Sequence, residues 1–110
     1  MSTPLEISCA AVQQKRAAGE TFCFIDCREP NEFAIAKIEG AQLLPMSELA
    51  SRVSELLPHQ QAEIVVHCHH GGRSLRVVNW LRQQGFPHAA SLAGGIDEWS
   101  QTIDTTVPRY

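Results

Sequence analysis

Three short runs constrain this chain more than anything else in it. Phe22-Cys23-Phe24-Ile25, Ile64-Val65-Val66 and Ala89–Leu92 are apolar or nearly so at every position, with no alternation between a wet and a dry face. A strand of that kind has to be covered on both sides, which is the environment of a parallel sheet sandwiched between helices. The stretches between the runs carry helical rather than two-residue periodicity. The pattern therefore predicts an α/β domain with a mostly parallel sheet and helices on both faces. Two further short strands, Leu5–Ile7 and Ala41–Leu44, bring the expected number to five.

At 110 residues, the chain is the size of one domain, 1–110. A chain of this length buries roughly two-thirds of its unfolded surface, so folding is expected to need neither metal nor disulfide. Nine Lys and Arg against twelve Asp and Glu give a net charge of −3, which argues against nucleic acid or an anionic membrane as the main partner. No apolar stretch is long enough to cross a bilayer, and the first eight residues do not read as a signal peptide. Cys9, Cys23, Cys27 and Cys68 form no CxxC pair, and they read as reduced thiols of a cytoplasmic protein.

Local signals mark the element ends. Ser8 is placed to cap a helix running to about Ala18, with Gly19 as its stop. Pro30 suits the first turn of a short helix whose inward anchor is Phe33. Pro45 ends the Ala41–Leu44 strand, and Ser47 is expected to cap a helix with Leu49, Val53, Leu56 and Leu57 on one stripe, ended by Pro58. A helix from about Ser74 to Gln84 presents Leu75, Val78 and Leu81, with Gly85 as its stop. Ile96 and Trp99 mark a last helix; Trp80 and Trp99 read as packing residues, and His59 and His88 as loop or solvent residues.

The chemistry concentrates at the end of the central strand, in His67-Cys68-His69-His70-Gly71-Gly72-Arg73-Ser74. A short loop curling from a strand into a helix N-terminus can aim successive backbone N–H groups at one point. Gly71 and Gly72 let the backbone approach a ligand with no Cβ in the way. A thiolate on Cys68 would be stabilised by those amides, by the helix dipole and by the guanidinium of Arg73, whose forked donors suit a tetrahedral oxyanion. A cysteine ending a buried strand is otherwise an ordinary core residue, and Gly-Gly otherwise only a turn. The arginine at the helix start and the strand–loop–helix setting favour the nucleophile.

This loop resembles that of the single-domain rhodanese-like sulfurtransferases. So does Ile25-Asp26-Cys27-Arg28-Glu29-Pro30-Asn31-Glu32-Phe33, which is similar to the family's early Asp-x-Arg-x-x-x-Glu-aromatic signature. Leu92-Ala93-Gly94-Gly95-Ile96-Asp97-Glu98-Trp99 is similar to its late Gly-Gly segment, and Pro108-Arg109-Tyr110 to a common family ending. Ala36-Lys37-Ile38-Glu39-Gly40-Ala41 departs, lacking the family's usual His and Pro. The resemblance implies a rhodanese-like fold and a thiosulfate sulfurtransferase with no organic cofactor. Cys68 would take a sulfane sulfur from thiosulfate or a similar donor as a persulfide and pass it to cyanide, a small thiol or a protein thiol. The loop residues His69, His70, Gly71, Gly72 and Arg73 would hold the substrate, and Asp26 with Arg28 would brace the loops.

Two other readings stand beside it. One is a persulfide relay or binding module for a protein partner. The other, less favoured, is a phosphatase or arsenate reductase, which would want five residues rather than four between cysteine and arginine. His67, His69 and His70 match no compact zinc spacing, so no metal is expected; His69 and His70 are expected at the pocket mouth, adding positive charge below neutral pH. Cys27 reads as a buried structural thiol, with a regulatory disulfide to Cys68 as the lesser alternative.

Overall fold

Five strands, Glu6–Ile7 (β1), Cys23–Asp26 (β2), Gln42–Leu43 (β3), Ile64–His67 (β4) and Ala89–Leu92 (β5), form one all-parallel sheet in the order β1-β5-β4-β2-β3. The architecture comes from a computed structural model that describes residues 3–110. Among the described residues, four α-helices connect the strands, Cys9–Ala17 (α1), Pro30–Ile35 (α2), Leu49–Arg52 (α3) and Gly72–Gln83 (α4), and Gly95–Thr102 (α5) follows β5. Among the described residues no helix is long and apolar enough to cross a membrane.

The uniformly apolar strands have the expected cause. Alternate residues of β2 and β4 enter two separate cores. Cys23, Ile25, Ile64 and Val66 pack with Leu49, Leu56, Val77, Val78 and Leu81 on one face; Phe24 and Val65 pack with Val12, Ile96 and Trp99 on the other. β4 lies at the centre of the sheet, so its carboxyl end opens where β2 and β5 flank it. That is the place where open α/β sheets bind ligands.

Most local signals hold. Ser8 accepts the amide of Ala11 at 3.1 Å as the N-cap of α1, and Pro30 opens α2. Several expectations need correction. Ser47 caps nothing: its hydroxyl donates to the Glu29 carboxylate at 2.6 Å. The segment after it is one α-turn, α3, between tighter 3-10 stretches at Met46–Glu48 and Val53–His59. Pro58 lies inside the second of these, where it has no N–H to offer the Ser54 carbonyl. Leu57 is exposed. Phe33 is only half-buried, with Lys37 5.4 Å over its ring; Ala36 and Ile38, in the segment that departs from the family pattern, enter the core instead. Finally, α4 begins at Gly72 rather than Ser74, with Gly71 at φ +114° as its cap.

Candidate active site

Cys68 is the first residue beyond β4, and its side chain is buried against α4. The Gly71 amide donates to its Sγ at 3.0 Å, and the thiol reaches the Ser74 hydroxyl at 3.4 Å. Ser74 is itself set by Ser91 of β5, 2.7 Å away, and by the Gly71 carbonyl at 3.2 Å. Of the amides expected to ring the sulfur, the Gly71 N–H makes the contact. The loop opens into a cavity of about 390 Å³ lined by Cys68, His69, His70, Gly72, Arg73 and Arg76.

The loop is held from below by α5. The Ile96 amide donates to the Cys68 carbonyl at 2.9 Å and the Asp97 amide to the His69 carbonyl at 3.0 Å. The N-terminus of α5 thus satisfies two carbonyls that the turn leaves without strand partners. The Gly94-Gly95 pair makes this approach possible, since a Cβ on Gly95 would lie 2.5 Å from the His69 carbonyl oxygen.

Arg73 lines the cavity, but its two terminal NH groups pair with Glu32 of α2 at 2.7 and 2.8 Å. The forked face expected to meet a substrate oxyanion therefore meets a carboxylate of the protein. Arg73 holds the Glu32 carboxyl down to about 2, well below the usual range, aided by the Glu29 amide and the Tyr110 hydroxyl. Tyr110 joins several parts of the site. Its hydroxyl accepts from Arg28 at 2.8 Å and donates to Glu32 at 2.9 Å, while its ring stacks on His69 at 4.0 Å.

Asp26 and Arg28 form a fully buried pair. Arg28 spreads its donors over the Asp26 carboxylate, the Tyr110 hydroxyl, and the Ala36 and Glu32 carbonyls. The pair fixes α2, which carries Glu32, through the Glu32 and Ala36 carbonyls. Cys27, between them in sequence, points into the other core with Cys68, and burial pushes its thiol up to about 12, with Cys68 and Asp26 adding to the effect. Burial likewise raises Cys9, to about 12, and Cys23.

The three histidines separate. His67 is buried under Phe24, 5.4 Å centroid to centroid, and among the described residues its Nε2 has no hydrogen-bond partner. His69 and His70 stand at the cavity rim, as expected. Burial, then the adjacent His70, lower the pKa of His69, which makes the positive charge expected there below neutral pH harder to acquire. Nitrogens of His69 and His70 and the Asp97 carboxylate come within 4.8 Å of one another. The two rings are stacked at 3.9 Å with planes 26° apart. The Asp97 carboxylate is also engaged by Arg109 and Gln101.

His67 leads to a pH prediction. Burial, only partly opposed by Asp26, lowers it to about 4, so protons bind the unfolded chain before the folded one as pH falls. Its contribution is complete above the free imidazole value of about 6.5 and is lost between there and pH 4, a change on the order of 3 kcal/mol. Urea unfolding at pH 7 and pH 4.5 should show the wild type losing clearly more stability than His67→Phe. Equal losses in the two proteins would mean that other groups carry the acid sensitivity.

Sequence and structure comparisons bear on the family and the fold. Residues 8–102 match the rhodanese-like domain. A sulfurtransferase of Allochromatium vinosum is 33% identical over 87% of this chain and 88% of its own length. The putative sulfur carrier protein YrkF of Bacillus subtilis is also 33% identical, over 86% of this chain but 50% of its own. Two other relatives, from Arabidopsis thaliana and Zea mays, are longer still, and the chain spans 29% and 23% of them. A crystal structure of a rhodanese-related protein from Thermoplasma volcanium superposes with a TM-score of 0.78 at 28% identity, covering 89% of this chain and 92% of that one. With the matched domain covering most of its length, the chain belongs to the rhodanese-like domain family.

Proposed function

We propose that this protein is a sulfurtransferase that carries a sulfane sulfur as a persulfide on Cys68. The observation that carries the reading is the placement of Cys68 Sγ at the N-terminus of α4, where the Gly71 amide donates to it at 3.0 Å and the Ser74 hydroxyl stands at 3.4 Å. With thiosulfate as donor, the Cys68 thiolate attacks the outer sulfur. A bond forms between Sγ and that sulfur, the donor's S–S bond breaks, and sulfite leaves with the bonding pair. Cyanide or a thiolate then attacks the terminal sulfur of the persulfide and returns Cys68 as thiolate. The covalent intermediate divides one difficult transfer into two easier ones. The loop amide and helix N-terminus stabilise the sulfur anion at each stage. Gly71 and Gly72 keep the approach open, His69 and His70 form its rim, and Arg73 braces the loop through Glu32. Asp26 and Arg28 support that brace from β2. The chemistry needs no organic cofactor and suits the reducing cytoplasm.

A protein thiol as acceptor is the second reading, supported by the resemblance to a sulfur carrier and to longer proteins in which a similar domain is one part. Both readings share the same first step. Incubation with thiosulfate should add one sulfur atom to the protein by intact mass, labile to cyanide and absent in Cys68→Ser. Sulfur uptake by Cys68→Ser would sink the assignment. Turnover with cyanide against transfer to protein thiols then separates enzyme from relay. Hydrolysis of aryl phosphates should be negligible, because four residues between Cys68 and Arg73 make a ring too small to seat phosphate against the thiolate. Cys68-dependent phosphate hydrolysis rivalling sulfur transfer would favour a phosphatase instead.

A further inference from the structure

Two guanidinium groups border the Cys68 cavity, and they are not in the same state. Arg73 is committed to Glu32 through both terminal nitrogens, and Glu32 is in turn committed to Tyr110 and the Glu29 amide. Its charge is neutralised locally and its fork is taken. Arg76 lines the same cavity, is exposed, and has no ion pair or side-chain hydrogen bond among the described residues. It follows Gly72 by four positions and Arg73 by three on α4, so it rises from the same helix face about one turn farther along. The remaining basic groups near the mouth are the rim imidazoles and Arg109, and Asp97 holds Arg109 at 3.2 Å.

We propose that Arg76 is the specificity-determining residue of this pocket: it draws small anionic sulfur compounds to Cys68, while Arg73 serves as a brace. The proposal rests on Cys68 being the nucleophile and deepens the function given above by naming the group that selects substrate charge. An incoming anion finds at Arg76 a cation that no protein carboxylate has already satisfied. Because Arg76 is exposed, its pull is modest and screened by salt.

Alkylation of Cys68 tests this without any sulfur donor. Iodoacetate and iodoacetamide react with the same thiolate, so the ratio of their rates cancels the thiolate fraction and reports the preference for an anion. The ratio would be measured on the Cys68 peptide by mass spectrometry at low salt. Arg76→Gln should lower it by about threefold to fivefold, the scale of one exposed charge pair, and Arg76→Glu should lower it further. Arg76→Lys should restore most of the ratio, since a point charge suffices where no fork is needed. Added salt should shrink the difference between wild type and Arg76→Gln. In persulfide loading, Arg76→Gln should raise the thiosulfate KM by a similar factor and lower kcat far less. Ratios unchanged in Arg76→Gln and Arg76→Glu, or Arg76→Lys as poor as Arg76→Gln, would overturn the proposal. If the wild type is alkylated but accepts no sulfur, the sulfurtransferase reading fails and the alkylation ratio still decides the role of Arg76.

Discussion

Gly95→Ala should reduce sulfur transfer by on the order of a hundredfold while leaving a folded domain. Gly95 sits at φ +59°, and a Cβ there would meet the His69 carbonyl oxygen at 2.5 Å and the Cys68 carbonyl oxygen at 2.6 Å. Both contacts are backbone, so no side chain can swing aside. The first turn of α5 and the loop must separate by close to 1 Å, which stretches the Ile96 and Asp97 amide bonds to those same carbonyls. Misplacement of about 1 Å at a reacting centre can cost roughly a hundredfold in rate. Two weakened buried hydrogen bonds and the strain of alanine in the left-handed region add about 3 kcal/mol of destabilisation. Gly19→Ala provides the contrast. Gly19 has φ +73°, but a Cβ there would meet nothing within 4 Å, so that variant should show backbone strain alone and wild-type transfer. Measuring kcat/KM with thiosulfate alongside urea unfolding separates the two effects. Gly95→Ala with activity within twofold of wild type would show that α5 does not fix the loop.

The contrast between Gly95 and Cys68 shows what the chain discloses locally. The cysteine loop is contiguous, and its strand, glycines and helix start are read from neighbours in sequence. The five strands are legible for the same reason, because residues on alternate sides must enter two cores and so leave uniformly apolar runs. The clamp from α5 is not local. Gly94-Gly95 stands out as a motif, but only the folded chain shows that its job is to let amides reach the Cys68 and His69 carbonyls. Glu32 is a similar case: it lies within a signature segment, yet its partner Arg73 comes from another helix, so that the fork expected to face substrate engages a carboxylate of the protein in this structure. Ser74 ends the loop motif, but its contact with the sulfur is not readable there, and Ser91 carried no signal, since a serine in a strand is unremarkable until a second hydroxyl is found beside it. Ser47 misleads for the opposite reason. It has a capping residue's chemistry, but it lies inside the Met46–Glu48 turn rather than ahead of a helix, and its hydroxyl donates to the Glu29 carboxylate.

Asp26→Asn should be the most destabilising polar substitution in the molecule, by about 3–5 kcal/mol, because it leaves the buried Arg28 charge uncompensated. That is a large part of the total stability of a domain this size, typically about 5–15 kcal/mol. The loss should also reach the site. Arg28 holds the Ala36 and Glu32 carbonyls and the Tyr110 hydroxyl, and through them the α2 segment whose Glu32 braces Arg73. Replacing both partners with apolar residues, Asp26→Leu with Arg28→Met, should cost less than the sum of the single changes, since no charge is left stranded. Arg28→Lys separates charge from shape. It keeps the cation but loses the fork that spans both Asp26 oxygens and the reach to Ala36 and Tyr110, so more than half of the destabilisation should persist. Urea unfolding of these variants gives the answer directly. If Arg28→Lys recovers to within about 1 kcal/mol of wild type, compensation of the Asp26 charge is sufficient and the network around the guanidinium is incidental; if it does not, the directed hydrogen bonds of Arg28 are what join β2 to the brace of the active loop.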